Sequence, residues 1–192
     1  MSAFGKWEEK RLKSTKLKHL PNILTFCNMG IGIIVVYSMM VNNPMISIKF
    51  ACYLIFLAVI LDFLDGHLAR YLNASSEMGK HLDSFADFAT FGLAPIAIFI
   101  SQIEQPAWYI VLLLIMYPIA SGFRLARYNL KEFRDYIIGL PITVSGFILT
   151  TVSIIYNYIS SEYTTGFTVI YLSLIIILSI MMVSCIRVKR IK

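Results

Sequence analysis

The sequence predicts an all-α integral membrane protein with six transmembrane helices and a short N-terminal interfacial helix. Three observations predict it. Of the 192 residues, 58% are hydrophobic and only 15% charged, a far more apolar balance than a soluble domain of this size carries. Six apolar runs, each close to the ~20 residues a helix needs to cross a bilayer, occupy roughly 21–41, 47–71, 81–102, 107–129, 138–159 and 165–187. Basic residues, finally, are concentrated in alternate connections between those runs.

Residues 1–20 hold six lysines and arginines with Phe4, Trp7, Leu12, Leu17 and Leu20 among them. That pattern suits a basic amphipathic segment lying on an anionic membrane surface, and it equally suits a solvated basic tail. Residues 21–192 then form one membrane domain, since a core shared by several spans leaves no residues for a second. The first apolar run is too long for the core of a secretory signal and lacks a small-residue cleavage site after it, so it reads as the first span. Short polar breaks separate the later runs: Asn42-Asn43-Pro44, 73–80, 101–106, 131–136 and 160–165. Backbone inside lipid must satisfy its own hydrogen bonds, which leaves helices as the spanning form. Pro95, Pro118 and Pro141 are expected to kink or start helices.

Orientation follows from the lysine and arginine count. With six spans, both termini and the second and fourth loops share one side, and sixteen of the seventeen basic residues fall there; Lys49 alone falls on the other. The positive-inside rule places that basic side in the cytoplasm, giving a multi-pass protein of the cell membrane. The net charge of +6 is then expected to face anionic lipid rather than nucleic acid. Cys27, Cys52 and Cys185 lie in apolar runs without metal-ligand spacing and are read as buried thiols rather than a disulfide framework.

Four carboxylates sit where such a protein should avoid them. Asp62, Asp65, Asp83 and Asp87 fall within the second and third spans or their cytoplasmic ends, and a carboxylate near a bilayer centre costs about 2.5–3.5 kcal/mol. On a helix, Asp62, Asp65, Gly66 and Ala69 fall within an arc of about 100°, while Gly79, Asp83 and Asp87 step by one turn along a second stripe. A short turn makes the two spans antiparallel neighbours, so all four acids converge in one cleft open to the cytoplasm. Protonation or divalent cations are the two remedies for their mutual repulsion. The all-oxygen ligand set points to a hard ion, Mg²⁺ or Mn²⁺. Gly66 and Gly79 let a ligand or a helix backbone come close, and Arg70 is placed to bind phosphate or to anchor the helix at the interface.

Taken together, Asp62-x-x-Asp65-Gly66-x-x-Ala69-Arg70, then Gly79-x-x-x-Asp83-x-x-x-Asp87, resemble the defining motif of the CDP-alcohol phosphatidyltransferases at every position and with its usual spacing. The resemblance implies a six-helix membrane enzyme, usually a homodimer, with a divalent-metal site at the cytoplasmic surface. Carried over by position, it implies that Asp62, Asp65 and Asp83 bind two metal ions with Asp87 close to them. It further implies Asp87 as general base, and Gly66, Ala69, Arg70 and Gly79 near the CDP moiety. Such a site suits phosphoryl transfer, in which two metals stabilise charge on the departing nucleotide and a carboxylate takes the proton of the attacking hydroxyl.

Three flanking stretches, Pro21-Asn22-Ile23-Leu24-Thr25, residues 83–95 (DSFADFATFGLAP), and Arg124-Leu125-Ala126-Arg127-Tyr128-Asn129 followed by Gly139-Leu140-Pro141, resemble the branch of that family that uses L-serine. The implied reaction joins CDP-diacylglycerol and L-serine, with glycerol 3-phosphate or an inositol phosphate as rival acceptors and an ether lipid as rival donor. Arg124 and Arg127 are candidates for binding a substrate anion, or else positive anchors after the fourth span. Thr25 and Asn28, one turn apart, either face the cleft or bond between helices. His19, His67 and His81 match no motif position and receive no role. A cation or proton transporter would also place acids in a membrane, but it tends to show internal repeats and midplane sites, and neither is evident here.

Overall fold

The computed structural model describes residues 20–41, 46–72, 74, 76–130, 136–160, 164–185 and 187–189. Six long helices account for most of them: α1 (Leu20–Met40), α2 (Ile48–Tyr71), α3 (Glu77–Ile100), α4 (Trp108–Leu130), α5 (Ile142–Ile159) and α6 (Thr165–Val183). All but α2 are long and apolar enough, by length and composition, to cross a membrane. The 24-residue α2 carries Lys49, Asp62, Asp65 and Arg70. The expected interfacial helix lies outside the described residues apart from Leu20, and so do His19 and the breaks at 42–45, 131–135 and 161–163.

Three boundaries differ from the hydropathy reading, each for a local reason. α3 starts at Glu77 rather than 81, because the Ser76 hydroxyl caps it by accepting from Gly79 N at 3.0 Å, an N-cap arrangement. α5 starts at Ile142 rather than 138. The preceding Tyr136–Ile138 is a short strand, β1, and Gly139 turns the chain with φ of 74°. A residue bearing Cβ would be strained there and would strike the Met182 carbonyl. α6 ends at Val183 rather than 187, and the chain continues into β2 (Arg187–Lys189), which pairs antiparallel with β1. The C-terminal segment is thereby tied to the α4–α5 connection.

The third helix is the axis of the bundle. α1, α4 and α5 all pack against it, α2 packs on α1 and α5, and α4 packs on α6. Midway along α3, residues Phe88–Leu93 open into a π turn. Two glycines admit the widened backbone. A Cβ on Gly32 of α1 would lie 2.7 Å from Thr90 Cα, and one on Gly146 of α5 would lie 2.7 Å from Phe91 Cβ and 2.9 Å from Phe91 O. Thr90 Oγ1 donates to the Asn28 carbonyl at 2.9 Å, and the Tyr117 hydroxyl of α4 donates to Phe91 O at 3.1 Å. Such bonds matter in hydrocarbon, where a freed carbonyl finds no water. Large apolar side chains including Ile33, Ile60, Ile119 and Ile180 point outward, as a lipid-facing surface requires.

Candidate active site

The last turns of α2 and the first turns of α3 bring the four aspartates together. One carboxylate oxygen each from Asp62, Asp83 and Asp87 lies within 4.8 Å of the other two. Asp62 meets Asp87 side chain to side chain and accepts from the Thr143 hydroxyl of α5 at 3.1 Å. Asp65, only 4% exposed, stands outside the group of three and accepts from Thr25 Oγ1 of α1 at 2.8 Å. Oδ1 of Asp83 and Oδ1 of Asp87 are buried with no hydrogen-bond partner.

Buried carboxylates that crowd together require a compensating positive charge or protons. Arg124 supplies part of it: the residue is 8% exposed and its charge acts on Asp87 and Asp62. One guanidinium does not by itself match four carboxylates, so protons or further cations are needed for them to stand together. The cluster's donors are all hard oxygens, two of them buried and unsatisfied, which is the ligand chemistry that divalent cations such as Mg²⁺ accept. The residues present therefore fit the metal site that the sequence suggested.

Beside the cluster opens a cavity of about 360 Å³. All four residues expected near the nucleotide line it: Gly66, Ala69, Arg70 and Gly79. Asp65, Asp83 and Thr25 contribute to the same wall. The two glycines differ in kind. A Cβ on Gly66 would meet nothing within 4 Å, so its missing side chain enlarges the cavity, whereas one on Gly79 would press on Ser76 Oγ at 3.0 Å. Arg70 folds back, its Nε donating to Gly66 O at 2.9 Å.

The two candidate arginines part company. Arg127 points to the end of α6 and donates to the carbonyls of Val183 (2.9 Å), Met182 (3.2 Å) and Ser184 (3.2 Å), the groups a helix C-terminus leaves unsatisfied. Arg124 turns inward, with its Nε buried and unpartnered. Asn28 is fully buried with neither side-chain amide atom bonded, and it joins α3 through its main-chain carbonyl. His67 is exposed and stacks on Phe63, and His81 is exposed. Sequence reasoning missed Thr143, whose only signal was a hydroxyl just after Pro141 at the head of an apolar helix. It quoted Asn22 and Tyr128 only within the flanking stretches and gave no role to Lys80, a variable position of the aspartate motif; all three line the cavity.

A sequence profile described as CDP-alcohol phosphatidyltransferase matches residues 18–187. A Bacillus subtilis protein named CDP-diacylglycerol–serine O-phosphatidyltransferase is 36% identical over 143 residues, covering 73% of this chain and 78% of that one. A Helicobacter pylori protein of the same name is 29% identical over 177 residues, covering 90% and 72%. One from Mycobacterium tuberculosis, also so named, is 32% identical over 139 residues, 67% of this chain but 46% of its own. The chain thus spans about half the length of the mycobacterial relative.

Proposed function

Because the chain belongs to the CDP-alcohol phosphatidyltransferase family, we propose that it transfers the phosphatidyl group of CDP-diacylglycerol to the hydroxyl of L-serine, releasing phosphatidylserine and CMP. The chain is an enzyme of phospholipid synthesis, and its family generally uses divalent metals. The observation that carries the reading is the meeting of Asp62, Asp83 and Asp87 within 4.8 Å, beside a cavity lined by the remaining motif residues.

In this reading Asp62, Asp65, Asp83 and Asp87 hold two ions, Mg²⁺ or Mn²⁺, which when bound neutralise the diphosphate and the charge that develops on CMP. Gly66, Ala69, Arg70 and Gly79 cradle the nucleotide. The serine hydroxyl attacks the phosphorus that carries the lipid. The bond from that phosphorus to the CMP oxygen breaks, and CMP leaves with the electron pair. Asp87 takes the hydroxyl proton; it is buried in the same group of carboxylates, within reach of a hydroxyl bound beside them. Arg124, buried and facing these acids, supplies positive charge on the acceptor side.

Serine is favoured by the names of the relatives and by the flanking motifs. The proposal includes six spans with α2 among them, both termini and the site on the cytoplasmic side, and a homodimer in the cell membrane, the last checked by light scattering in detergent. The acceptor is tested by supplying CDP-diacylglycerol and Mn²⁺ or Mg²⁺ to the purified protein with serine, glycerol 3-phosphate and inositol phosphate in separate reactions while CMP is measured. Serine is expected to release CMP; release with glycerol 3-phosphate and none with serine would overturn the assignment.

A further inference from the structure

We propose that Thr25 and Thr143 are positioning residues that fix the carboxylates of Asp65 and Asp62 for divalent-cation binding. The inference rests on the metal reading of the site given above. It starts from two hydroxyls on two different helices. Thr25 of α1 donates to Asp65 at 2.8 Å, and Thr143 of α5 donates to Asp62 at 3.1 Å. Both helices flank α2, so each carboxylate on that helix is held from a neighbour rather than from its own backbone.

Thr25 has a second acceptor in reach, the Pro21 carbonyl at 3.0 Å. That back-bond within the helix is what a threonine makes by default. The carboxylate oxygen is the nearer acceptor, at 2.8 Å against 3.0 Å, and a bond to an ionised acceptor is roughly twice as strong as a neutral one. A carboxylate turns freely about its last torsion, where the preference is broad. A hydroxyl that occupies one oxygen stops this rotation and leaves the other oxygen directed away from the donor. Ligands oriented in this way hold a metal more tightly than ligands that must be ordered on binding.

The same two helices make a second matched contact. Two turns beyond Thr25, Gly32 lies against Thr90; one turn beyond Thr143, Gly146 lies against Phe91. Thr90 and Phe91 belong to the π turn that begins directly after Asp87. Each flanking helix therefore touches α2 through a threonine and α3 through a glycine. Together they fix the separation between the pair Asp62 and Asp65 and the pair Asp83 and Asp87.

The test measures Mn²⁺ binding to the metal-free full chain in detergent, by calorimetry and by the Mn²⁺ electron paramagnetic resonance signal, with no substrate present. Thr25→Val and Thr143→Val keep the shape and remove the hydroxyl; Thr25→Ser and Thr143→Ser keep the hydroxyl. Each valine variant is expected to weaken Mn²⁺ binding about tenfold or more, within the range for lost outer-sphere partners, with the serine variants near wild type. Wild-type affinity in the valine variants would overturn the role, and so would equal weakening in the serine variants, which would mark a packing effect. Should a valine variant not fold, the serine variant decides by whether the resonance line shape of bound Mn²⁺ is preserved; a changed line shape counts against the proposal. Failure of the wild-type protein to bind Mn²⁺ would instead refute the metal reading itself.

Discussion

The hydroxyl of Tyr117, on the fourth helix, donates to the main-chain oxygen of Phe91 across 3.1 Å, inside the π turn of the third helix. The same hydroxyl lies 3.1 Å from Ser145 Oγ on the fifth. A π turn shifts the ladder of helical bonds, and this tyrosine anchors the shifted carbonyl from outside. The turn begins at the residue after Asp87, so its register sets the direction in which the α3 carboxylates face. Tyr117→Phe leaves a buried carbonyl short of a donor and is expected to cost about 1–3 kcal/mol, read as a lower unfolding midpoint in detergent. An unchanged midpoint would mean that the turn does not depend on the bond.

Gly32→Ala and Gly146→Ala place a methyl against the backbone of Thr90 and of Phe91, where neither helix can retreat without opening the bundle. Each is expected to lower stability by about 1–3 kcal/mol and to reduce activity. Gly30→Ala, whose new methyl would meet nothing within 4 Å, is expected to be harmless. Equal behaviour of Gly30 and Gly32 variants in a thermal melt would contradict this packing.

Much of the fold and the heart of the site were legible in the sequence because both rest on simple periodicities. Apolar runs of bilayer length gave six helices, and one-turn spacing put Asp83 and Asp87 on a common stripe. The limits are physical too. Hydropathy cannot distinguish a helix from the short β1 strand at Tyr136–Ile138, since three residues are too few to show either period. The π turn leaves no mark in the residue types of 88–93. Arg124 and Arg127 are alike in sequence, yet three residues of helix turn one toward the acids and the other toward the α6 carbonyls. Thr143 stands 81 positions from Asp62, and no local pattern announces such a partnership.

Gly66→Ala is expected to act on ligand binding alone. The added methyl enters the cavity rather than a neighbour, so the fold has no reason to suffer. Binding of a CDP-bearing ligand, followed by calorimetry, is expected to weaken severalfold while the unfolding midpoint stays put. Undiminished binding would place the nucleotide elsewhere.

Arg127→Gln removes donors from three carbonyls at the end of α6. Loss of a charged hydrogen-bonding group costs about 1.5–3 kcal/mol, and the deficit is expected to show as a lower unfolding midpoint, with the Michaelis constant for serine unchanged. Arg124→Gln, by contrast, is expected to raise that constant. If the two variants exchanged these phenotypes, the assignment of one arginine to structure and the other to the site would be wrong.

Asp87→Asn keeps the shape of the side chain and removes the base. Turnover is expected to fall by about 10²–10⁴-fold while CDP-diacylglycerol still binds. Retained full activity would remove Asp87 from the proton transfer.

The most direct measurement pairs the two products. Purified protein, stripped of metal and then given CDP-diacylglycerol and L-serine, is expected to form neither CMP nor phosphatidylserine until Mn²⁺ or Mg²⁺ is restored, and then to form both in equal amounts. Full-speed synthesis by the stripped protein, or CMP appearing without phosphatidylserine, would contradict the account.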